Sequence, residues 1–248
     1  MVVYLDIETR TTRGVFPNAT EALEEISLIQ IVFGDTAIVY GLKDFKPQEG
    51  YDLGVKLTHV KCLDEKDMLL KFLSCLSSIH PKYVCAWNGI RFDFLYIYNR
   101  LLKNNIDVNK LSYDEEVTLV NNRIISTNIR YIDLMVLYKT MSGVTLDSYS
   151  LDSVSKHEVH EEKEKHDEFL SFDDFFTGNN YQIKDEPYDD RVREEIRKLE
   201  IMKRDGVLNE GDSNLLNDLI YFRYVFYGVK DSLLMQKIDN KCGLTKVL

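Results

Sequence analysis

Val2-Val3-Tyr4-Leu5-Asp6-Ile7-Glu8-Thr9 is the stretch on which the reading of this chain turns. Four residues of strand-forming character lead into an acid, an isoleucine, a second acid and a threonine. On a strand, residues two apart project to the same face, so Asp6 and Glu8 are expected side by side. Two carboxylates held that close repel one another unless a cation or a proton lies between them. An apolar strand carrying such a pair is a candidate divalent-cation site. Read alone, the same string also fits a strand end with two solvated acids, and the rest of the chain has to decide.

The chain has 248 residues, enough for a full hydrophobic core in one sizeable domain or two small ones. Its four prolines argue against long disordered linkers. The formal net charge is -10. Phosphate neutralisation dominates non-specific nucleic-acid affinity, so this charge argues against tight, sequence-independent duplex binding by the chain alone. It does not exclude a nuclease whose carboxylates hold cations at the site. Cys62, Cys75, Cys85 and Cys242 show no C-x-x-C spacing, which argues against a zinc site or a disulfide framework and fits a reducing compartment. No apolar run approaches membrane-spanning length and no signal-peptide pattern precedes the first strand, so the expectation is a soluble, cytoplasmic protein with no membrane partner.

Beyond the opening strand, residues 11–25 form a polar connection with Gly14 and Pro17 as breakers. Two β-rich runs, 27–33 and 36–40, flank Gly34-Asp35, a strong hairpin signal. Residues 43–54 read as loop. Over residues 64–79, Met68, Leu69, Phe72, Leu73, Leu76 and Ile79 recur at helical period with acids at the start, and Pro81 ends that helix. A short buried strand over 83–86 runs into the turn Trp87-Asn88-Gly89-Ile90-Arg91-Phe92-Asp93 and a second helix. Residues 117–132 look like strand material with Asn121-Asn122 at a hairpin tip, and short helices follow over 133–140 and 150–156. From about 161 to 214 the chain becomes a charged stretch with too few apolar residues for a core of its own, taken as a surface insertion in a single domain spanning 1–248. Within it, residues 190–205 suggest an exposed helix. Residues 215–238 predict a long amphipathic helix.

Three acidic stations result: Asp6 with Glu8 on a strand, Asp93 at a helix start, and Asp231 on the last helix, one turn after Tyr227. Hard oxygen ligands suit Mg²⁺ or Mn²⁺, and two ions about 3.5–4 Å apart are the usual arrangement for phosphodiester hydrolysis. A tyrosine with an ordinary pKa near 10 is a poor base at neutral pH. Its better role is to hold the attacking water in line.

Asp6-Ile7-Glu8-Thr9, Asn88-Gly89-Ile90-Arg91-Phe92-Asp93 and Tyr227-Gly228-Val229-Lys230-Asp231 resemble, in order, the three exonuclease motifs of the DEDD superfamily. The tyrosine points to the DEDDy branch, which includes the proofreading domain of family-B DNA polymerases. The histidine branch places a histidine five residues before the last acid, where this chain has Phe226. Tyr131-Ile132-Asp133-Leu134, Leu137-Tyr138-Lys139 and Tyr149-Ser150-Leu151-Asp152-Ser153-Val154-Ser155-Lys156 are similar to the segment between the second and third motifs, in wording close to T-even-type phage polymerases. The resemblance covers nearly the whole chain except about 161–214.

The resemblance implies an α/β fold with a ribonuclease-H-like mixed five-stranded sheet flanked by helices. It implies a metal-dependent 3′→5′ exodeoxyribonuclease that shortens single-stranded DNA or frayed 3′ ends to nucleoside monophosphates. Asp6, Glu8, Asp93 and Asp231 would bind two Mg²⁺ or Mn²⁺ ions and Tyr227 would position the water. Thr9, Asn88 and Phe92 match positions that contact the 3′ end, although a core aromatic is an equal reading for Phe92. Residues 117–130 match a β-hairpin that helps separate primer from template. Asp133 and Asp152 read as caps or structural acids, Trp87 as a core residue, and His157-Glu158-Val159-His160 as a solvated face lacking zincin spacing. Lys230 is a weaker candidate for a phosphate contact.

A free-standing exonuclease, the proofreading piece of a split polymerase, and a truncated chain all fit this pattern. With Met1 just ahead of the first strand, a natural short gene in a host cytoplasm, if viral, is the expectation. The acidic charge suits a piece that borrows DNA affinity from a polymerase subunit. Two alternatives stay open: a binding or processivity subunit with weak nuclease activity, and an RNA-directed 3′→5′ exonuclease.

Overall fold

The computed structural model describes residues 1–11, 16–113 and 116–248; Gly14, expected as a breaker, lies outside them. The chain opens with an antiparallel meander of β1 (Val2–Thr9), β2 (Ile26–Phe33) and β3 (Thr36–Gly41), as the sequence suggests. Gly34 closes the β2–β3 hairpin at φ +56°, in the left-handed region that such tight two-residue turns require. β4 (Lys56–Lys61) adds to β3 in parallel, and α1 (Glu65–Ile79) crosses back to β5 (Tyr83–Ala86), which pairs in parallel with β1. α2 (Asp93–Lys103) then leads through a small hairpin, β6 (Thr118–Val120) and β7 (Arg123–Ile125), to β8 (Arg130–Asp133), parallel to β5. The hairpin tip is Asn121-Asn122, both at positive φ, the conformation that asparagine tolerates best after glycine.

Among the described residues the main sheet has six strands in the order β4-β3-β2-β1-β5-β8. It is a mixed, helix-flanked α/β sheet of the ribonuclease-H-like type, with six strands where five were expected. The additional strand is β4, an edge whose Lys-Leu-Thr-His-Val-Lys is half-exposed and carries a lysine at each end. So polar a run gives no strong strand pattern.

Four helices follow β8 and the connections around it: α3 (Leu134–Met141), α4 (Leu151–Glu158), α5 (Phe172–Thr177) and α6 (Arg191–Arg204). A fifth, α7 (Glu210–Cys242), closes the fold. Helix starts are set by side-chain caps. Asp64, Asp133, Ser150 and Asp190 each accept the amide three residues on, at 2.8, 3.2, 3.2 and 2.7 Å, ahead of α1, α3, α4 and α6.

The sheet separates two cores. Val3, Leu5, Ile7, Ile29 and Ile31 pack with α1 and α2, whereas Tyr4, Leu28 and Val32 pack with α7. Burial on both faces explains why these strands read as near-continuous apolar runs. It also fixes which face Asp6 and Glu8 share, that of Tyr4, beneath α7.

α7 was expected to be amphipathic. It runs for 33 residues, about 50 Å at 1.5 Å per residue, and its middle is buried on nearly every side. The reason lies in residues 161–214, which lack a core of their own but cover the outer face of α7. Phe169, Phe175 and Phe176 join Val192, Ile196 and Leu199 of α6 in the core around α7. Those three α6 positions form one helical face, so the helix expected to be exposed is only half so. The fully buried Glu168 pairs with Arg223 of α7 and with Arg193 of α6, fastening the stretch down. Among the described residues no helix is long and apolar enough to cross a membrane.

Candidate active site

Three elements converge on one end of the β1–β5 pair. β1 brings Asp6 and Glu8, side by side through the strand period. Its pairing with β2 shifts register between Glu8 and Thr9, and beyond that bulge the Thr9 hydroxyl bonds that of Thr11 at 2.6 Å. The turn after β5 brings Asn88, Phe92 and Asp93. Asn88 takes φ +64°, and Gly89 packs so closely on Ala86 and the Phe94 ring that an added Cβ would stand 2.7 Å from both. The backbone thus turns sharply enough to seat Asp93 in the first turn of α2, 2% exposed. α7 brings Tyr227 and Asp231, one turn apart and both buried.

Carboxylate oxygens of Asp6, Glu8 and Asp231 lie within 4.8 Å of one another. Asp93 stands outside that trio but lines the same cavity, of about 450 Å³. All eight side chains singled out from the sequence (Asp6, Glu8, Thr9, Asn88, Phe92, Asp93, Tyr227 and Asp231) line it. Asp93 Oδ1 and Asp231 Oδ1 are buried with no hydrogen-bond partner among the described residues.

This concentration of acid has electrostatic consequences. Asp6 and Glu8 are held well above the usual carboxylate range, first by burial and then by repulsion from neighbouring acids: Glu8, Asp93 and Asp231 around Asp6, Asp231 and Asp93 around Glu8. Burial likewise pushes Asp93 up to about 7. Asp231 is raised by burial against the opposing pull of Lys163. Groups this close titrate as a unit. Oxygen donors that repel each other in one cavity, with lone pairs left unused, fit a hard divalent cation. The Tyr227 phenol, buried beside Asp231, is pushed above its ordinary value and keeps its proton at neutral pH.

Residues 161–214 supply what the sequence reading did not find. Lys163 reaches into the cavity and pairs with Asp231 Oδ2, with its ammonium 5.2 Å from the centre of the Tyr227 ring. The surrounding acids hold it charged. Its backbone amide is anchored on Asp152 Oδ1 at 3.1 Å. His166, Leu170, Ser171 and Phe172 complete that wall. Lys163 sits in the charge run 161–168, whose alternating signs give no hint that one member turns inward. Phe16, also unassigned from sequence, lines the mouth at 80% exposure and lies 5.4 Å from Phe92, which lies 5.4 Å from Tyr96.

The remaining candidates sort by their contacts. Asp133 caps α3 and accepts Ile90 N at 3.3 Å, steadying the turn before Asp93; Asp152 pairs with Lys156 at 2.8 Å. Lys230 pairs with Glu161 at 3.1 Å. Trp87 is half-buried, donates Nε1 to Tyr149 O at 2.9 Å and also touches the cavity. His157 lies 3.8 Å from Glu158, outside the cavity lining.

Comparison with known proteins gives a concordant result. Residues 1–154 match the sequence profile of the exonuclease domain of DNA polymerase family B. The DNA-directed DNA polymerase of Escherichia phage RB69 is 30% identical over 122 residues, 45% of this chain and 14% of the polymerase. That of Enterobacteria phage T4 is 26% identical over 135 residues, 50% of this chain and 15% of the polymerase. The match thus spans about one seventh of either phage enzyme.

Proposed function

Since the chain belongs to the family-B DNA polymerase exonuclease domains, we propose that it is a DEDDy-type 3′→5′ exonuclease acting on single-stranded DNA or frayed 3′ ends. One observation carries the reading: side chains from three separate stretches meet in one cavity, three of their carboxylates within 4.8 Å. Two Mg²⁺ or Mn²⁺ ions held by Asp6, Glu8, Asp93 and Asp231 would promote water attack on the terminal phosphodiester and neutralise the leaving oxygen.

The protein's own groups do the rest. Tyr227, kept protonated, holds the water by its hydroxyl and does not take its proton. Lys163 carries positive charge into a pocket otherwise acidic, beside Asp231 and Tyr227, where it offsets charge building on the phosphate. Phe16 and Phe92 form a stacking platform at the mouth for unpaired bases, and Thr9 and Asn88 provide polar contacts to the 3′ nucleotide. Stacking suits a protein of net charge -10, for which backbone electrostatics give little help. The same charge favours a polymerase subunit that delivers the 3′ end, as the proofreading part of a split enzyme.

The test uses 5′-labelled single-stranded DNA and RNA of equal length, with Mg²⁺, Mn²⁺ or chelator, beside Asp6→Ala and Asp231→Ala. The expected result is a DNA ladder shortening from the 3′ end, abolished by chelator and by either substitution. RNA cut as fast as DNA would move the assignment to an RNA exonuclease. Both substrates left intact in both metals would refute a free-standing enzyme.

A further inference from the structure

β2 is a strand of isoleucine, leucine, valine and phenylalanine interrupted by two polar residues, Ser27 and Gln30, both fully buried. Gln30 stands directly opposite Asp6 in the antiparallel register, on the face that meets α7. Its Nε2 donates to Asp6 Oδ2 at 2.6 Å, while its Oε1 has no partner among the described residues. A primary amide buried in an apolar strand is costly unless it is used, and half of this one is not.

α7 passes over this amide at Gly228, between Tyr227 and the turn that carries Asp231. A Cβ at Gly228 would stand 2.7 Å from Gln30 Nε2, 2.8 Å from Cδ and 3.1 Å from Oε1. Glycine is disfavoured inside a helix, so its place where α7 passes this close to Gln30 of the sheet calls for a reason in packing. The reason is room for Gln30.

We propose that Gln30 is a positioning residue of the metal centre, locking the Asp6 carboxylate in its ligating orientation, and that Gly228 is the gap that admits it. The proposal rests on the metal-dependent reading above. With Oδ2 engaged by the amide, rotation of the carboxylate is restrained and Asp6 stays aimed toward Glu8 and Asp231 despite their repulsion. Hydrogen-bond partners behind metal ligands are commonly worth 10–100-fold in metal affinity or activity.

The test measures Mn²⁺ affinity of the full chain by titration calorimetry, with thermal unfolding in chelator run alongside. Gln30→Leu keeps most of the buried volume and removes the donor; its Mn²⁺ affinity should fall about 10-fold or more, and kcat should fall while KM for DNA holds. Gly228→Ala probes the same contact from the helix side and should weaken Mn²⁺ similarly, but should add little in a Gln30→Ala background, where the clash is gone. Gln30→Leu binding Mn²⁺ within twofold of wild type would overturn the proposal and leave the exonuclease reading standing. Equal losses from Gly228→Ala in both backgrounds would overturn the role of the gap. A wild-type chain with no Mn²⁺ affinity would overturn the metal-dependent reading and this proposal with it.

Discussion

The floor and the roof of the cavity are made differently. The floor is β1, the start of α2 and the middle of α7, where each acid is placed by local periodicity on an element buried in the core. The roof is residues 163–173, which reach the site through long-range contacts: Asp173 with Arg10 at 2.8 Å, Asp173 N with Thr11 O at 3.1 Å, and Glu168 with Arg223. The floor gathers negative charge and the roof returns one positive charge through Lys163. The acids are therefore a property of the fold's centre, and their compensation comes from its periphery.

The strongest way to break that division is at the floor. Asp231→Ala removes a proposed metal ligand and the partner of Lys163 together, and exonuclease activity in Mg²⁺ should drop by about 10³-fold or more, several kcal/mol of transition-state stabilisation. Single-turnover assays at saturating DNA would measure it. A loss below tenfold would mean that Asp231 is not at the reacting centre.

At the roof, Lys163→Met should cost less, about 10–100-fold in kcat, because one charged contact is lost while the acids remain. It also has a signature of its own. Without a metal, wild type uses Lys163 to offset Asp231, so the variant should unfold at lower temperature at pH 8 than wild type, with the gap narrowing at pH 5. A variant with unchanged kcat would make the roof a cover and nothing more.

At the mouth, Phe16→Ala should raise KM for single-stranded DNA by roughly 5–100-fold, the worth of about one stacked base, with kcat and thermal stability unchanged because the ring is exposed. The smallest effect is on pH. The site carboxyls are raised by burial, so their protonated forms belong to the folded protein. The stability this confers is complete below the ordinary carboxylate range near 4 and is lost as pH rises through the folded values, about 7 for Asp93. Thermal unfolding in chelator should therefore decline by a few degrees from pH 5 to 8, and Mn²⁺ should restore more at pH 8 than at pH 5, since binding displaces the protons.

How much of this was legible follows from the same contrast. Asp6 and Glu8 stand out because a two-residue period sets both acids on one face of an apolar run, and Tyr227 and Asp231 because four residues make one helical turn. The helix starts at Asp64, Asp133, Ser150 and Asp190 were readable because a cap is a local interaction. β4 was missed because a half-exposed edge strand with lysines at its ends looks like loop. α5 was missed because six residues carry too little periodicity. Lys163, Gln30 and Phe16 acquire meaning only from what the tertiary fold sets against them: an acid on a distant helix, an acid on the neighbouring strand, and a ring in a distant turn. Counting charges along 161–168 cannot reveal which one faces inward.

The long central helix has a kinetic corollary. The Tyr4 hydroxyl on β1 bonds Asp239 on α7 at 2.6 Å, across 235 residues of chain. During synthesis the strand with Asp6 and Glu8 emerges early and the helix with Asp231 late, so for most of translation the two halves of the acidic cluster cannot meet. Contacts of such sequence separation slow folding, because long loops must close before any docking energy is gained. A nascent or partly unfolded chain thus has no assembled acidic cluster, and protection of the Gly228 region from hydrogen exchange would report, in one signal, that the cluster has been assembled.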